Sequence, residues 1–355
     1  MARTKTETIA RASEEVRKSF NLANFKKKKG FGVENAKYKE QAWIPLSKGW
    51  QDAVGLPGIP QGHITLLRGH SDTGKTTTLL ECAASCQKLG ILPVLIITEV
   101  KFDWSFARTI GVEFEEVVDN ETGEVIGYDG FFLYADRSTL GTIEDVASYI
   151  ADILDEQSKG NLPFDVCFLW DSVGSVPCRM SVESKGNNAQ WNAGALSQQF
   201  GGFINQKVIL TRKESSPYTA TLVCVNKIWN QVENAFTGQI GIRNKGGEAM
   251  YYDSSMVVNY GNPGSAGTAK MVARVGGAEL VWGKRTNISI DKCHLSAVYH
   301  KGKAIMTANG FIPETEAEKY KAEHKQEWAD RLGAQGESIQ FVEEEESIDS
   351  GFSVE

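Results

Sequence analysis

The sequence has few of the features that mark secreted or membrane proteins. Its six cysteines include no CxxC pair and follow no secreted disulfide spacing, which indicates reduced thiols. With nine prolines among 355 residues, proline-stiffened linkers are not expected. The longest apolar run, around Val94–Ile97, is far too short to span a bilayer, and charges interrupt the N-terminal residues where a signal peptide would lie. We therefore expect a cytoplasmic protein.

Histidine is scarce as well. The five histidines, which show no metal-ligand spacing, are His63, His70, His294, His300 and His324. Cys82 and Cys86 are one helical turn apart, which is more typical of a packed helix face than of a redox couple. The sequence therefore predicts no zinc-type site.

What is present is an ordinary globular composition. A hydrophobic share of 41% and a charged share of 23% exclude the disordered, collagen-like and low-complexity classes. The length suits one large α/β domain with extensions.

Charge is distributed unevenly along the chain. The net charge of −7 argues against a generally basic nucleic-acid binder, yet residues 1–40 hold eleven Lys and Arg against five Glu. Residues 336–355 hold seven acidic residues and no basic one. Such a block predicts a disordered tail, for which a regulatory role and a merely solubilising one are equally open.

Short apolar runs alternate with helical patterns from about Trp43 onward. Five runs are predicted to be buried strands of a parallel sheet: Ile64–Leu67, Val94–Thr98, Phe131–Tyr134, Val166–Trp170 and Thr221–Val225. This alternation predicts a doubly wound α/β sheet, with an antiparallel extension over residues 257–310. We also expect a helix over residues 8–20, a linker through the lysine run that follows, and a final helix over Glu314–Leu332.

The strongest motif follows the first of these strands. Residues 69–76 read GHSDTGKT, a match to G-x-x-x-x-G-K-[ST] between an apolar strand and a helix that ends before Gly90. In such a loop the backbone N–H groups and the helix N-terminus bind a triphosphate, Lys75 contacts its β- and γ-oxygens, and the Thr76 hydroxyl holds Mg²⁺. The ATP-binding residues predicted here are Gly69, His70, Ser71, Asp72, Thr73, Gly74, Lys75, Thr76 and Thr77.

Two further apolar runs end in a carboxylate. Asp171 follows Val166–Trp170 and is predicted to orient the magnesium-bound water. Glu99 follows Val94–Thr98, and since the ligand crevice of an open parallel sheet lies at the carboxyl ends of its strands, Glu99 should face the γ-phosphate and activate water. The competing interpretations are an Asp that caps its strand and a Glu that is merely solvated.

In the order and spacing of these motifs the chain resembles the RecA family of recombinases, including its phage-encoded UvsX-type members. The resemblance runs from about Trp43 to Ile312 and rests on the segments Gly58–Gly69, Glu99–Val112 and Asp171–Val173. It implies a RecA-like P-loop NTPase core, in which Glu99 and Lys75 are catalytic and Asp103 and Phe106 lie against the adenine. It divides the chain into an N-terminal oligomerisation arm (1–40), an ATPase core (41–312), a C-terminal helix (313–335) and the acidic tail (336–355).

The resemblance also implies two DNA-binding loops. The first covers roughly Ser175–Gln190. The second, about Ile228–Gly247, is rich in Gly, Asn and Gln and interleaves aromatic with basic residues, which suits a single nucleic-acid strand. An ordinary surface loop with a pinned Trp is the competing interpretation. The predicted DNA-binding residues are Arg179, Lys185, Trp229, Asn230, Phe236, Arg243, Lys245, Gly246 and Gly247.

A Phe-x-x-Ala element at Phe20 and Ala23 is similar to the one that docks filament-forming recombinases on the next subunit. Ordinary apolar packing would explain it as well. A heterologous contact of this kind builds a helix when it does not close.

The chain also departs from the family. Lys227 stands where many members have a Gln that senses the γ-phosphate. We expect Lys227 either to contact the phosphate as a point charge or to alter the coupling between ATP and DNA binding. Bacterial members bring two lysines across the subunit interface, and Lys292 is the one obvious candidate here.

The resemblance thus implies a DNA-dependent ATPase that uses ATP and Mg²⁺, coats single-stranded DNA as a helical homo-oligomer, and promotes pairing and strand exchange with homologous duplex DNA. Single-strand-binding or mediator proteins would be its protein partners, no membrane is involved, and the location would be the nucleoid, or the host cytoplasm for a phage protein. Two alternatives are kept. A ring-forming RecA-fold helicase or motor is disfavoured by the small N-terminal extension, and a nucleotide-gated single-strand-binding mediator with little hydrolysis is allowed by Lys227.

Overall fold

A computed structural model describes residues 18–28, 37–99, 102–186, 188–234, 239–262, 267–334 and 338–346. The α-helices, in chain order, are α1 Leu22–Lys28, α2 Lys48–Val54, α3 Lys75–Leu89, α4 Trp104–Ile110, α5 Ile143–Lys159, α6 Arg179–Glu183, α7 Ala189–Leu196, α8 Asn205–Leu210, α9 Ala249–Asp253 and α10 Ala317–Leu332. A π-helical segment, Ser197–Ile204, joins α7 to α8, and short 3-10 turns cover Val173–Ser175 and Glu314–Glu316.

The strands, in chain order, are β1 Trp43–Pro45, β2 Gly58–Pro60, β3 Ile64–Gly69, β4 Leu92–Ile97, β5 Glu115–Val118, β6 Val125–Asp129, β7 Leu133–Asp136, β8 Val166–Asp171, β9 Ala220–Asn234, β10 Gln239–Asn244, β11 Met256–Tyr260, β12 Thr268–Val275, β13 Ala278–Cys293, β14 Lys301–Thr307, β15 Gly310–Pro313 and β16 Gln340–Glu345. Strands β11-β3-β9-β8-β4-β7 lie side by side in that order and are parallel. Antiparallel strands β13, β14 and β15 continue the sheet beyond β11. The predicted α/β class with a mainly parallel sheet is confirmed, as is the antiparallel extension.

Both faces of the parallel sheet are covered, and strands β3, β4 and β8 are buried at every position. Side chains on one face pack under α3 and α4; among them are Leu67, Leu95, Leu169 and Val223. The opposite face packs against α5, α7 and the π-helical segment, and its residues include Leu66, Ile96, Trp170 and Leu222. Residues next to each other in a strand point to opposite faces, so both layers are specified by the same short runs.

The C-terminal helix packs on the antiparallel extension rather than on the parallel sheet. Trp328 of α10 stacks on Trp282 of β13 with ring centroids 5.6 Å apart, and both rings are buried. The predicted final helix is therefore present, although its first three residues form a 3-10 turn.

Three local predictions need correction or fall outside the described residues. Leu22–Lys28, expected to be a linker, is helical. The expected loop Ile228–Gly247 is largely a hairpin, because β9 continues to Asn234 and pairs with β10, where the β-branched Ile240 and Ile242 favour an extended chain. Most of the helix expected over residues 8–20 lies outside the described residues.

The prediction that residues 336–355 are disordered is wrong for Gln340–Glu345. This segment forms β16, which pairs antiparallel with β12. Its acidic side chains have basic partners there: Glu346 lies 2.9 Å from Lys284, and Glu343 and Glu344 form ion pairs with Arg285 and Arg274. Opposite charges on neighbouring strands remove the repulsion that made this stretch look unstructured. Among the described residues, no helix combines the length and the apolar character that crossing a membrane requires.

Candidate functional site

The glycine-rich loop connects β3 to α3 and packs closely against β11 and β15. A Cβ on Gly69 would lie 2.4 Å from the Tyr260 carbonyl oxygen, and a Cβ on Gly74 would lie 2.4 Å from the Phe311 ring. Gly74 also has a φ of 99°, which favours glycine. Since the N-cap Gly74 has no side chain, it leaves the first backbone N–H groups of α3 for an anion. The loop geometry therefore fits a bound phosphate chain.

Lys75 supplies a buried positive charge beneath this loop. Its side chain donates to the His70 carbonyl oxygen and lies 3.4 Å from the Thr73 hydroxyl. The residue is 5% exposed, and burial lowers its pKa to about 8 even though Asp171 favours the charged form. A desolvated ammonium group of this kind gains from an anionic ligand, which fits contact with β- and γ-phosphates.

Thr76 and Asp171 place two oxygen donors side by side. The Thr76 hydroxyl donates to Asp171 Oδ2 at 2.7 Å, across the contact between α3 and β8. Asp171 is 6% exposed, and burial raises its pKa to about 6 despite this hydrogen bond. Hydroxyl and carboxylate oxygens are the ligands that Mg²⁺ prefers, so the donor set fits the predicted metal. When bound, Mg²⁺ would neutralise phosphate charge there.

Glu99 follows the neighbouring strand β4 and is fixed beside Asp171. The backbone N–H groups of Thr98 and Glu99 donate to the Asp171 carbonyl oxygen at 2.8 and 3.1 Å. The Glu99 carboxylate accepts from the Ser172 hydroxyl at 2.8 Å and lies 3.0 Å from Lys227 Nζ. Burial opposes ionisation of Glu99, but these two partners outweigh it and lower its pKa. The structure therefore brings Lys75, Thr76, Asp171 and Glu99 together at one edge of the sheet, as predicted; we call these four residues the nucleotide edge. Glu99 is ionised at neutral pH.

Lys227 has an ion pair that the sequence did not predict. It pairs with Gly69 in the register between β9 and β3, which places it next to the P-loop. Its side chain contacts Glu99, while its carbonyl oxygen accepts from the Lys245 N–H at 3.0 Å. The buried Asn226 side chain donates to the Lys245 carbonyl oxygen at 3.0 Å. Lys227 thus contacts the nucleotide edge by its side chain and the β9–β10 hairpin by its backbone.

Asp103 and Phe106 stand at the start of α4. The Asp103 carboxylate caps the helix by accepting from the backbone N–H groups of Ser105 and Phe106 at 2.8 and 3.2 Å. Phe106 is half-buried against the core beside α3. Contact of these two residues with the adenine stays a prediction. The structure shows that Asp103 also caps α4.

A groove of about 1140 Å³ opens beside the nucleotide edge. Six of the predicted DNA-binding residues line it: Lys185, Trp229, Arg243, Lys245, Gly246 and Gly247. Trp229 is 60% exposed and pairs with the exposed Arg243 across the β9–β10 hairpin. The aliphatic part of the Lys245 side chain packs against Gly174, where a Cβ would lie 2.6 Å from Lys245 Cγ. An exposed ring beside a guanidinium and a lysine suits a stacked base with its phosphates.

The remaining predicted DNA-binding residues are placed differently. Arg179 is outside the lining of this groove, and its guanidinium lies 3.2 Å from Asp145 on α5. Phe236 and the Asn230 side chain lie outside the described residues. Arg137, which sequence reasoning missed, does line the groove. It directly follows β7, so the strand-end argument that found Glu99 would have found it too.

The Phe-x-x-Ala element and Lys292, the candidate for a contact across the subunit interface, lie in contrasting environments. Phe20 is 54% exposed, and Ala23 on α1 is exposed as well. Lys292, by contrast, donates to the carbonyl oxygens of Tyr251 and Tyr252 at 3.1 and 2.7 Å within the same chain. Phe20 therefore presents an aromatic surface, whereas Lys292 is engaged at α9.

Comparison with known proteins agrees with this geometry. Residues 9–125 match the family model described as the RecA N-terminal domain. The chain is also similar to Protein RecA of Ruegeria pomeroyi, with 36% identity over 95 residues. Over these residues the chain is similar to the RecA family.

The RecA match is partial. The aligned segment covers 26% of this chain and 27% of the Ruegeria protein's length. The RecA N-terminal domain match includes the P-loop, Glu99, Asp103 and Phe106, whereas Asp171, Lys227 and most of the groove follow it in the sequence. For those later residues, the roles rest on their position in the fold.

Proposed function

We propose that this chain is a DNA-dependent ATPase of the RecA family, of the phage-encoded UvsX type, that forms helical filaments on single-stranded DNA and promotes homologous pairing and strand exchange. The observation that carries the proposal is the position of Lys227. It links the carboxylate of Glu99 to the backbone of Lys245 in the groove. One residue therefore connects the two sites that an ATP-controlled DNA-binding protein must couple.

In the nucleotide site, Lys75 and the N-terminus of α3 bind the phosphates, and Thr76 with Asp171 would hold Mg²⁺. Glu99 acts as the base that accepts a proton from the attacking water. Its ion pair with Lys227 engages Oε1, which also accepts from Ser172, and lowers the pKa of the carboxylate, so loosening of this ion pair would make Glu99 a stronger base. Release of Lys227 from Glu99 is thus the step at which DNA occupancy controls hydrolysis.

In the groove, Trp229 stacks on a base while Arg243, Lys245 and Lys185 contact phosphates. A stacked base is worth about 1–3 kcal/mol and requires no particular sequence, which suits a protein that coats any single strand. The bound strand would then form base pairs with homologous duplex DNA.

Filament growth would use the N-terminal arm. Phe20 and Ala23 are exposed in the isolated chain, and docking on a neighbour would bury them. Because the arm and its acceptor are different surfaces, the contact repeats along a helix unless it closes. Partner proteins and a nucleoid-associated or host-cytoplasmic location stay predictions.

The test is phosphate release in Mg²⁺ buffer with and without an oligonucleotide. The proposal expects turnover to rise when single-stranded DNA is added and to fall to background in Lys75→Ala. Turnover that does not respond to DNA would remove the central part of the proposal.

A second candidate function is a nucleotide-gated single-strand-binding mediator with little hydrolysis. The Glu99–Lys227 ion pair favours it, since a base held by a lysine is a poor proton acceptor. Tight ATP-dependent retention of single-stranded DNA with no phosphate release would select this candidate over the first.

A further inference from the structure

Three cysteines from two elements meet beneath the nucleotide edge. Cys82 and Cys86 lie on α3, and Cys167 lies on β8; all three are 0% exposed. Their sulfur atoms lie within 4.8 Å of one another, and those of Cys82 and Cys167 are 4.0 Å apart. The sequence suggested a packed helix face for the first two and contained no local signal for the third, because Cys167 is far away in the chain.

The spacing of the sulfurs suits a three-coordinate ion. With metal–sulfur bonds of about 2.3 Å, three thiolates around a planar centre lie about 4.0 Å apart, and closer around a pyramidal one. The Cys82–Cys167 separation already has this value. The remaining sulfur–sulfur distances are at most 4.8 Å, so they exceed this value by less than 1 Å.

Charge decides which ion the site prefers. The triad lies in the apolar core cluster that includes Leu79, Leu95 and Leu169. All three thiols are fully buried there, and burial of a charged group in apolar surroundings is costly. Three thiolates around a monovalent or divalent cation would leave a net negative charge in this core, which is costly. Three thiolates around a trivalent centre are neutral.

We propose that Cys82, Cys86 and Cys167 form a binding site for a trivalent thiophilic metalloid, of which arsenic(III) is the simplest case. Neutral arsenous acid, As(OH)₃, reacts with three thiols to give As(S–Cys)₃ and three waters. Three As–O bonds break and three As–S bonds form, each thiol proton leaves in a water molecule, and no atom changes oxidation state. Zinc is disfavoured because structural sites need four ligands, and the described residues offer this cluster three.

Occupation of the site would connect α3 to β8 covalently. Cys82 follows Thr76 on the same helix, and Cys167 precedes Asp171 on the same strand. The Thr76–Asp171 hydrogen bond spans the same helix–strand contact. Bound arsenic would therefore stabilise the folded chain and restrict movement between the two donors predicted to hold Mg²⁺.

The experiment uses the reduced full-length protein and sodium arsenite. Arsenite is added to the folded protein and, separately, during refolding, since the triad is enclosed. After gel filtration, arsenic is measured by mass spectrometry and the thermal midpoint is recorded. We expect one arsenic per chain and a midpoint raised by several degrees.

Variants distinguish the triad from other cysteines. Cys167→Ala and Cys86→Ala should retain no arsenic and show no shift, whereas Cys224→Ala, which removes a buried thiol on the neighbouring strand β9, should behave like the unchanged protein. Cys86→Ser, which nearly preserves side-chain size, replaces the alanine variants if they do not fold. Absence of retained arsenic by both routes, or equal retention in the triad variants, would overturn the proposal.

Discussion

The nucleotide edge and the groove use the ends of the same parallel strands in opposite ways. At the nucleotide edge, polar side chains bond to one another: Thr76 binds Asp171, and Glu99 binds Lys227. In the groove, Trp229 and Arg243 project from a hairpin and are exposed. The first site is prearranged by the fold, and the second gains its contacts from whatever binds.

This difference sets what substitutions should do. Buried groups whose pKa values are shifted, such as Lys75 and Asp171, are held at an energetic cost to the fold, which is typical of functional sites. Exposed basic and aromatic groups cost the fold little and should affect affinity in a salt-dependent way. Each of the following experiments tests one side of this comparison or the link between them.

The largest effect is expected from Glu99→Gln. Removal of the base should lower turnover by roughly 10²–10⁴-fold while ATP and DNA binding are retained, because the amide keeps the shape but cannot accept a proton. Phosphate release and ATP-analogue affinity measure the two quantities. Glu113→Gln, an exposed glutamate elsewhere, is the matched control, and near-normal turnover in Glu99→Gln would show that Glu99 is not the base.

In the groove, Trp229→Ala should weaken single-stranded DNA binding by roughly 5–150-fold, which corresponds to about 1–3 kcal/mol for one stacked base. The affinity for ATP in the absence of DNA should not change. Fluorescence anisotropy with a labelled oligonucleotide measures the first quantity. Tyr252→Ala removes an equally exposed ring that does not line the groove, and an equal loss in both variants would contradict the stacking role.

The link between the sites is tested by Lys227→Met, which removes the charge and keeps most of the chain length. We expect the stimulation of turnover by single-stranded DNA to fall about tenfold, within the usual range of coupling energies. The ratio of turnover with and without DNA is the measurement. Lys301→Met, a lysine on β14, controls for loss of charge, and an unchanged ratio in Lys227→Met would separate the two sites.

Asp171→Asn should stabilise the fold at neutral pH, because the amide carries no buried charge. Burial raises the pKa of Asp171 to about 6 in the folded chain, whereas in the unfolded chain the carboxyl has its ordinary pKa of 3.8. Folding stability therefore falls as pH rises between these values, and the penalty persists above pH 6. The variant should gain at most about 2–3 kcal/mol at pH 7 and nothing at pH 3.5. Denaturant unfolding at both pH values measures this, and a loss of stability at pH 7 would contradict it.

The smallest effect is expected from the acidic strand β16. Substitution of Glu343, Glu344 and Glu346 by Gln should strengthen duplex DNA binding several-fold at low salt, since it removes an acidic partner from each of Arg274, Lys284 and Arg285. Deletion of residues 337–355 should act in the same direction. The gain should vanish at high salt; equal affinity at low salt would show that β16 does not mask these residues.

The nucleotide edge was predictable because its signals are local. A P-loop motif, and a carboxylate after each of two apolar runs, place Lys75, Asp171 and Glu99 by strand geometry alone. The Glu99–Lys227 ion pair was not predictable, because it depends on which strands are neighbours and on their register. The same holds for the cysteine triad, which joins a helix to a strand distant in sequence.

In two other segments, the amino-acid composition led to a wrong prediction of the local structure. The Gly- and Asn-rich stretch after Ile228 predicted a loop, yet pairing with β10 makes most of it a hairpin. The run of four glutamates predicted disorder, but basic side chains on β12 and β13 neutralise it and allow β16 to form. In both cases the partner strand, which no local pattern identifies, determines the conformation.

The most direct test of the central claim is electron cryo-microscopy of the chain with a slowly hydrolysed ATP analogue, Mg²⁺ and single-stranded DNA. We expect an open helical filament in which Lys75, Thr76, Asp171 and Glu99 surround one triphosphate, with the strand following the groove past Trp229. Closed rings, or DNA bound away from Trp229 and Lys245, would contradict this account.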